Sequence, residues 1–153
     1  MTQFRSPSQS GPATEYLRTK VLSATPEELR LMLLEGAIKY VRQGRAGLER
    51  KDYEAVFNGL SACRNIVMEL MTTIRTEPNP ELAESVKALY TYMYTLLVEG
   101  GHEKDLKKLD TVIELLEFER ETWVLLMQKL ASERGTAKAD APPAERMPLS
   151  VQG

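Results

Sequence analysis

The chain reads as an all-α protein, an antiparallel up-and-down four-helix bundle preceded by a short helical segment, and three observations carry that expectation. Between two polar tails lie four long stretches whose apolar residues recur at three- and four-residue steps. These stretches are punctuated by residues chemically suited to starting or stopping helices. No segment convincingly alternates apolar and polar residues with the period of two expected of a half-buried strand. Four helices of broadly similar length on short connections favour antiparallel neighbours.

The first bundle helix, expected over about residues 26–50, opens at Thr25, whose hydroxyl can accept a hydrogen bond from an orphan backbone N–H. Pro26 suits the first helical position, and Glu28 supplies the other half of a capping box. Leu29, Met32, Leu33, Gly36, Ala37, Tyr40, Val41, Gly44 and Leu48 then mark one face as core. Gly36 and Ala37 place almost no side chain on that face, which lets a facing helix approach closely; a Tyr or Trp is the expected neighbour. Asp52 caps a second helix over about 53–75, with the stripe Tyr53, Val56, Phe57, Leu60, Cys63, Ile66, Val67, Leu70 and Ile74.

In "TEPNPE" Pro78 forbids continuation, Asn79 caps, and Pro80 starts a third helix over about 80–99, which the pair Gly100 and Gly101 is expected to stop. The fourth, about 104–132, carries Leu106, Leu109, Ile113, Leu116, Trp123, Met127 and Leu130 in a near-heptad seam broken only by Arg120. Residues 1–15 and 133–153 are rich in Pro, Ser, Ala or charge without apolar period and are expected to be disordered tails flanking a 16–132 domain.

Composition narrows the function classes. The 153 residues suit one domain, with 42% hydrophobic and 27% charged residues, the balance of a soluble globular protein. A formal charge of -2 offers no electrostatic footprint for nucleic acid or an anionic membrane. No apolar run approaches the roughly 20 residues that span a bilayer, and the N-terminus lacks the apolar region of a signal peptide. Cys63, the single cysteine, reads as a buried thiol, in keeping with a reducing cytoplasm.

Chemistry has few carriers. His102 is the only histidine, so "EGGH" at Glu99–His102 supplies one half of a two-iron carboxylate motif and no more; a solvated or capping role is the better reading. Glu114, Glu117 and Glu121 lie at helix-neighbour spacing among lysines and arginines, as on a solvated face. Neither a phosphate-cradling glycine loop nor a nucleophile elbow occurs, so no catalytic residue, metal ligand or cofactor site is expected.

The apolar surplus is more informative. Tyr90, Tyr92 and Tyr94 alternate along the third helix and point to different sides, so one core cannot bury all three rings. With Met93, Leu96, Leu97 and Val98 beside them, the helix is apolar around much of its circumference, which points either to a surface for a partner or to a wide core edged by amphipathic tyrosines. Ahead of the bundle, Tyr16, Leu17, Val21 and Leu22 make an amphipathic anchor, read either as a helical turn stapled to the bundle or as a movable flap over a groove.

Taken in order, "EYLRTKVLSATPEELRLMLLEGAIKYV", "ACRNIVMELMTTI", "ALYTYMYTLLVEG" and "LDTVIELLEFERETW" resemble the flagellin-specific secretion chaperones of bacterial flagella, the FliS family, over roughly residues 15–125. The resemblance implies a cytoplasmic, non-enzymatic bundle that binds the C-terminal segment of flagellin. It prevents premature filament assembly and keeps the subunit competent for type III export. The flagellar export apparatus is then a second partner, and a co-chaperone or regulator a third. The guest is disordered when free and wraps the bundle as short helices.

Carried over on matching motifs, Tyr16, Leu17, Val21 and Leu22 form an exchangeable segment occupying part of the binding surface, and Leu31, Leu34, Ile66, Leu89, Tyr90 and Met93 are groove candidates. Trp123 matches the family's tryptophan and is assigned to the core. Two stretches depart from the pattern. "LLEG" stands at 33–36 for Leu-Tyr-Asp-Gly, and "VEGGHEKD" at 98–105 for an Ala-Asn turn. They bear on a groove polar contact and on the third loop. The residues alone leave two rivals: a generic helical interaction module or homodimeric bundle, and a metal-carboxylate bundle enzyme.

Overall fold

The structure, a computed structural model, describes residues 11–140; the expected tails over 1–10 and 141–153 lie outside the described residues. Its elements are α1 (Pro12–Ser23), α2 (Pro26–Glu49), α3 (Tyr53–Thr72), α4 (Pro80–Glu103) and α5 (Leu106–Asp140), and no strand occurs among the described residues. The all-α expectation holds.

Side-chain chemistry fixes where the helices begin. Thr25 Oγ1 accepts from Glu28 N at 3.1 Å while the Glu28 carboxylate accepts from Thr25 N at 3.3 Å, so both halves of the capping box form. Asp52 accepts from Ala55 N and Asn79 from Leu82 N, capping α3 and α4. α2 and α4 each start on a proline.

Pairings along the helices show that every neighbouring pair is antiparallel. Across α2 and α5, Glu35, Arg42 and Arg45 pair in descending order with Arg120, Glu117 and Asp110. Across α4 and α5, Lys108 bonds Glu99 and Tyr90 bonds Glu119. Thr91 of α4 reaches Met71 of α3, while Gly101 lies against Leu60. The four helices thus form a ring, α2–α3–α4–α5, in which α4 lies diagonally across from α2. Leu34, Ala37 and Val41 of α2, Leu60, Cys63, Val67 and Leu70 of α3, Tyr90, Met93 and Leu97 of α4, and Leu109, Val112 and Leu116 of α5 fill the centre.

Several boundaries differ from expectation. α4 does not stop at Gly100 and Gly101 but runs on to Glu103. A Cβ on Gly100 would lie 2.8 Å from Leu109 Cδ2, and one on Gly101 2.9 Å from Leu60 Cδ1, so these glycines admit close neighbours rather than break the helix. The stop comes at Lys104, whose φ of 56° is left-handed, with Asp105 N donating back to Gly100 O. α5 continues to Asp140, eight residues into the expected tail. Its end is exposed through Thr136, and Ala, Glu, Arg and Lys sustain a helix that has no buried face to produce a period. α1 begins at Pro12, so residues 12–15 are helical too.

Gly36 meets neither Tyr nor Trp. A Cβ there would lie 3.4 Å from Ile66 Cδ1, ordinary contact, while Ala37 is fully buried. The intimate crossing of α2 and α3 is about two turns further on. A Cβ on Gly59 would stand 2.6 Å from Gly44 N, 2.7 Å from Tyr40 O and 2.9 Å from Gly44 Cα.

Candidate partner-binding surface

The ring has four outer seams of different chemistry. The α2/α3 seam is closed by glycine contact. The α2/α5 seam is lined by ion pairs: Arg42 with Glu117, Arg45 with Asp110, and Arg120 with Glu35. Arg45 holds the Asp110 carboxyl below the usual carboxylate range, chiefly through their hydrogen bond. The other two seams, on either side of α4, carry exposed apolar residues; in the α4/α5 seam these lie beyond the Lys108 pairs with Glu99 and Glu103.

Seven-residue spacing brings side chains back to nearly the same line on a helix. The α4 line that includes Glu99 therefore also carries Tyr92 and Ser85, and the α5 line that includes Lys108 carries Leu115 and Thr122. Because Glu99 and Lys108 are bonded at 2.8 Å, these lines face one another, putting Tyr92 beside Leu115, with Phe118 just outside. Tyr92 is 51% and Phe118 64% exposed, while Leu115 and Leu89 pack partly against the core. Leu82 and Leu126, both exposed, continue the strip toward the start of α4.

On the opposite flank, the Met71–Thr91 contact places Phe57, Arg64 and Met71 of α3 alongside Thr91 and Val98 of α4. Phe57 is 68% exposed, and Met68 and Val98 are exposed beside half-buried Tyr94. The expectation that at least one of the three α4 tyrosines is exposed is met by Tyr92.

The predicted site residues do not converge on one surface. Leu34, Tyr90 and Met93 are 0% exposed and belong to the core, so they line no groove. Tyr90 sits on the inward face of α4, where burial pushes its phenol well above its ordinary value, partly countered by Arg30. Ile66 is half-buried against α2 beside Gly36. Leu31 is half-buried on the line of Ile38 and Arg45 that faces α5. Leu89 alone among the bundle candidates edges an apolar groove. Tyr16, Leu17, Val21 and Leu22 are all exposed, and no residue of α1 is buried, so the anchor is neither stapled to the bundle nor seated over a groove.

Phe57, assigned to the core by period, points outward instead. Phe57, Met68, Leu82, Phe118 and Leu126 were missed as surface residues. The signal was present as apolar stripes too broad for a single buried face, "YEAVF" and "LLEFE" above all. Trp123 packs partly against the core and donates its Nε1–H to Glu27 O at 2.9 Å. His102 is exposed in the last turn of α4. Among the described residues no group of three or more His, Cys, Asp or Glu is arranged to hold a metal ion, and no helix is long and apolar enough to cross a membrane.

The family model described as "Flagellar protein FliS" matches residues 9–130, which take in α1 to α4 and α5 as far as residue 130. The chain belongs to the FliS family. It is 36% identical over 123 residues to the flagellar secretion chaperone FliS of Bacillus subtilis (strain 168), covering 80% of this chain and 89% of that protein. Against the FliS chaperone of Salmonella typhimurium the identity is 30% over 114 residues, 74% of this chain and 84% of the relative. Against that of Vibrio cholerae it is 25% over 105 residues, 69% and 77% respectively. The FliS match ends near residue 130, so the exposed last turns of α5 lie beyond it.

Proposed function

We propose that this protein is a cytoplasmic export chaperone that binds the C-terminal segment of flagellin along the apolar grooves flanking α4. By covering helices that would otherwise polymerise, it prevents premature filament assembly and keeps the subunit competent for the flagellar type III export apparatus. The observation that carries the reading is the pair of exposed apolar seams beside Tyr92 and Phe57 in a FliS-family bundle whose α2/α5 seam is ion-paired. An amphipathic guest helix fits such a seam by placing one apolar side in it. Ordering a disordered guest costs about 2–5 kcal/mol, which keeps a large interface releasable at the export gate. The free apolar residues of α1, Tyr16, Leu17, Val21 and Leu22, supply a further strip for the guest.

Sedimentation of the pure protein followed by calorimetry with a flagellin C-terminal peptide tests this. A monomer that takes up one peptide supports the reading. Tyr92→Ser and Phe57→Ser, both at exposed positions, should each weaken binding about tenfold, a loss of about 1.4 kcal/mol. Arg42→Gln on the ion-paired seam should not. The absence of heat at micromolar concentrations, or a stable homodimer buried through the α4 flanks, would remove the chaperone assignment.

A further inference from the structure

One side chain touches all four helices of the ring. Arg30, in the second turn of α2, donates Nη1–H to Thr73 Oγ1 at the end of α3, 3.1 Å away. Its Nη2–H donates to Tyr90 OH of α4 at 2.8 Å. Tyr90 OH in turn donates to Glu119 Oε2 of α5 at 3.1 Å. The guanidinium carbon lies 5.3 Å from the Trp123 ring centroid and 5.7 Å from that of Tyr90, within cation–π range of both. Trp123 closes the loop on Glu27 O, one turn before Arg30. Among the described residues no ion pair joins Arg30 directly to Glu119, so the Tyr90 hydroxyl is the relay between them.

This cluster crosses the α4/α5 contact at the level of Leu89 and Phe118. Tyr90 follows Leu89 on α4, and Glu119 follows Phe118 on α5, so the relay spans the gap whose rim those two residues form. Arg30 itself is half-buried and on the far side of the floor. From this geometry we infer that Arg30 is the positioning residue of the α4/α5 groove, holding its two walls at a fixed spacing through Tyr90 and Glu119 without touching the guest. The inference rests on the binding role proposed above for that groove. Lys108 ties the C-terminal end of α4 to α5 through Glu99 and Glu103, and the relay adds a directional polar contact between the same helices more than two turns away.

The test combines a partner-free readout with binding. In Arg30→Met, acrylamide quenching of Trp123 fluorescence should rise about twofold as its cation is lost and the wall loosens. Amide exchange in residues 80–93 and 115–126 should quicken, and affinity for the flagellin C-terminal peptide should fall about tenfold. Glu119→Ala should weaken binding similarly, and the double variant should be little worse than either, because the two residues act through one relay. Tyr90→Phe keeps the ring and removes only the hydroxyl; in that background the further Arg30 and Glu119 changes should each alter affinity less than threefold. If Arg30→Met does not fold, Tyr90→Phe carries the test with the same readouts. Unchanged quenching and exchange in a folded variant, or fully additive losses, would overturn the positioning role. If the unaltered protein fails to bind peptide, the binding role fails, and quenching and exchange still decide whether Arg30 sets the wall.

Discussion

Replacing Gly59 with alanine should destabilise the protein although alanine is the better helix former. A Cβ there would stand 2.6 Å from Gly44 N, 2.7 Å from Tyr40 O and 2.9 Å from Gly44 Cα. Comfortable contacts of carbon with other heavy atoms begin near ~3.5 Å, so α2 and α3 must part by roughly 1 Å at their crossing. All three obstructing atoms are backbone, and no rotamer change relieves them. Overpacking of this kind costs about 1–3 kcal/mol, and the upper end applies where whole helices move. The gain in helix propensity returns about 1 kcal/mol. The net loss is about 2 kcal/mol, or a fall of roughly 6 °C in Tm for a chain of this size. Gly36→Ala is the internal control. Its Cβ would meet only the movable end of Ile66 at 3.4 Å, so propensity dominates and Tm should rise by about 2–3 °C. Thermal and urea unfolding followed by circular dichroism report both. If Gly59→Ala matches or exceeds the unaltered protein, or both glycines respond with the same sign, the close-crossing argument is wrong.

Burial pushes the Cys63 thiol up to about 12, with nearby Arg64 opposing, so the folded state keeps a proton that the unfolded chain loses above about pH 8.5. This contribution is complete below that pH and declines as pH rises toward 12, by up to about 1.4 kcal/mol per unit; the fall in urea midpoint between pH 8 and pH 10 should be shallower in Cys63→Ala. Removing residues 1–23 should leave Tm within about 2 °C, because α1 buries no residue, whereas a large fall would mean that α1 packs on the bundle in solution. Lys51 holds a left-handed φ of 60° just past the end of α2, so Lys51→Gly should stabilise by about 1 kcal/mol, read as a higher urea midpoint.

The helices were legible because their signals are local. Thr25 with Glu28, Asp52, and Asn79 with Pro80 act within a few residues of themselves, and each does in the fold what its chemistry implies. Glycines were misread for the opposite reason. Gly100 looks like a stop until α5 is present and Leu109 lies against it, and Gly36 looks like the crossing until Gly59 is seen on Gly44. Which large apolar residue is core and which is groove was equally hidden. Tyr90 and Tyr92 are near neighbours of the same type, and only the position of α5 decides that one is enclosed and bonded to Glu119 while the other stays half in solvent. Period gives the direction of a side chain on its helix; the number of neighbours around that helix settles whether the direction is inside.

That distinction explains why exposed apolar residues gather beside α4. α2 has a helix at glycine distance on one side and ion pairs with α5 on the other, so its flanks are already committed. Glycine brings α4 close to its neighbours only at its C-terminal end, Gly100 on Leu109 and Gly101 on Leu60; further back it meets α3 and α5 through bulkier side chains at Thr91–Met71 and Tyr90–Glu119, and bulk at a contact holds helix axes further apart than glycine does. Because α4, α3 and α5 also carry apolar residues beyond those the core takes, Tyr92, Leu115, Phe57 and Val98 stand along these contacts, beside charge at Arg64 and in the Lys108 pairs with Glu99 and Glu103. The docking surface proposed for this bundle would rest on two independent choices in sequence, large residues where α4 meets its neighbours and apolar residues just outside them. Altering either one alone should change guest binding while the four helices stay folded.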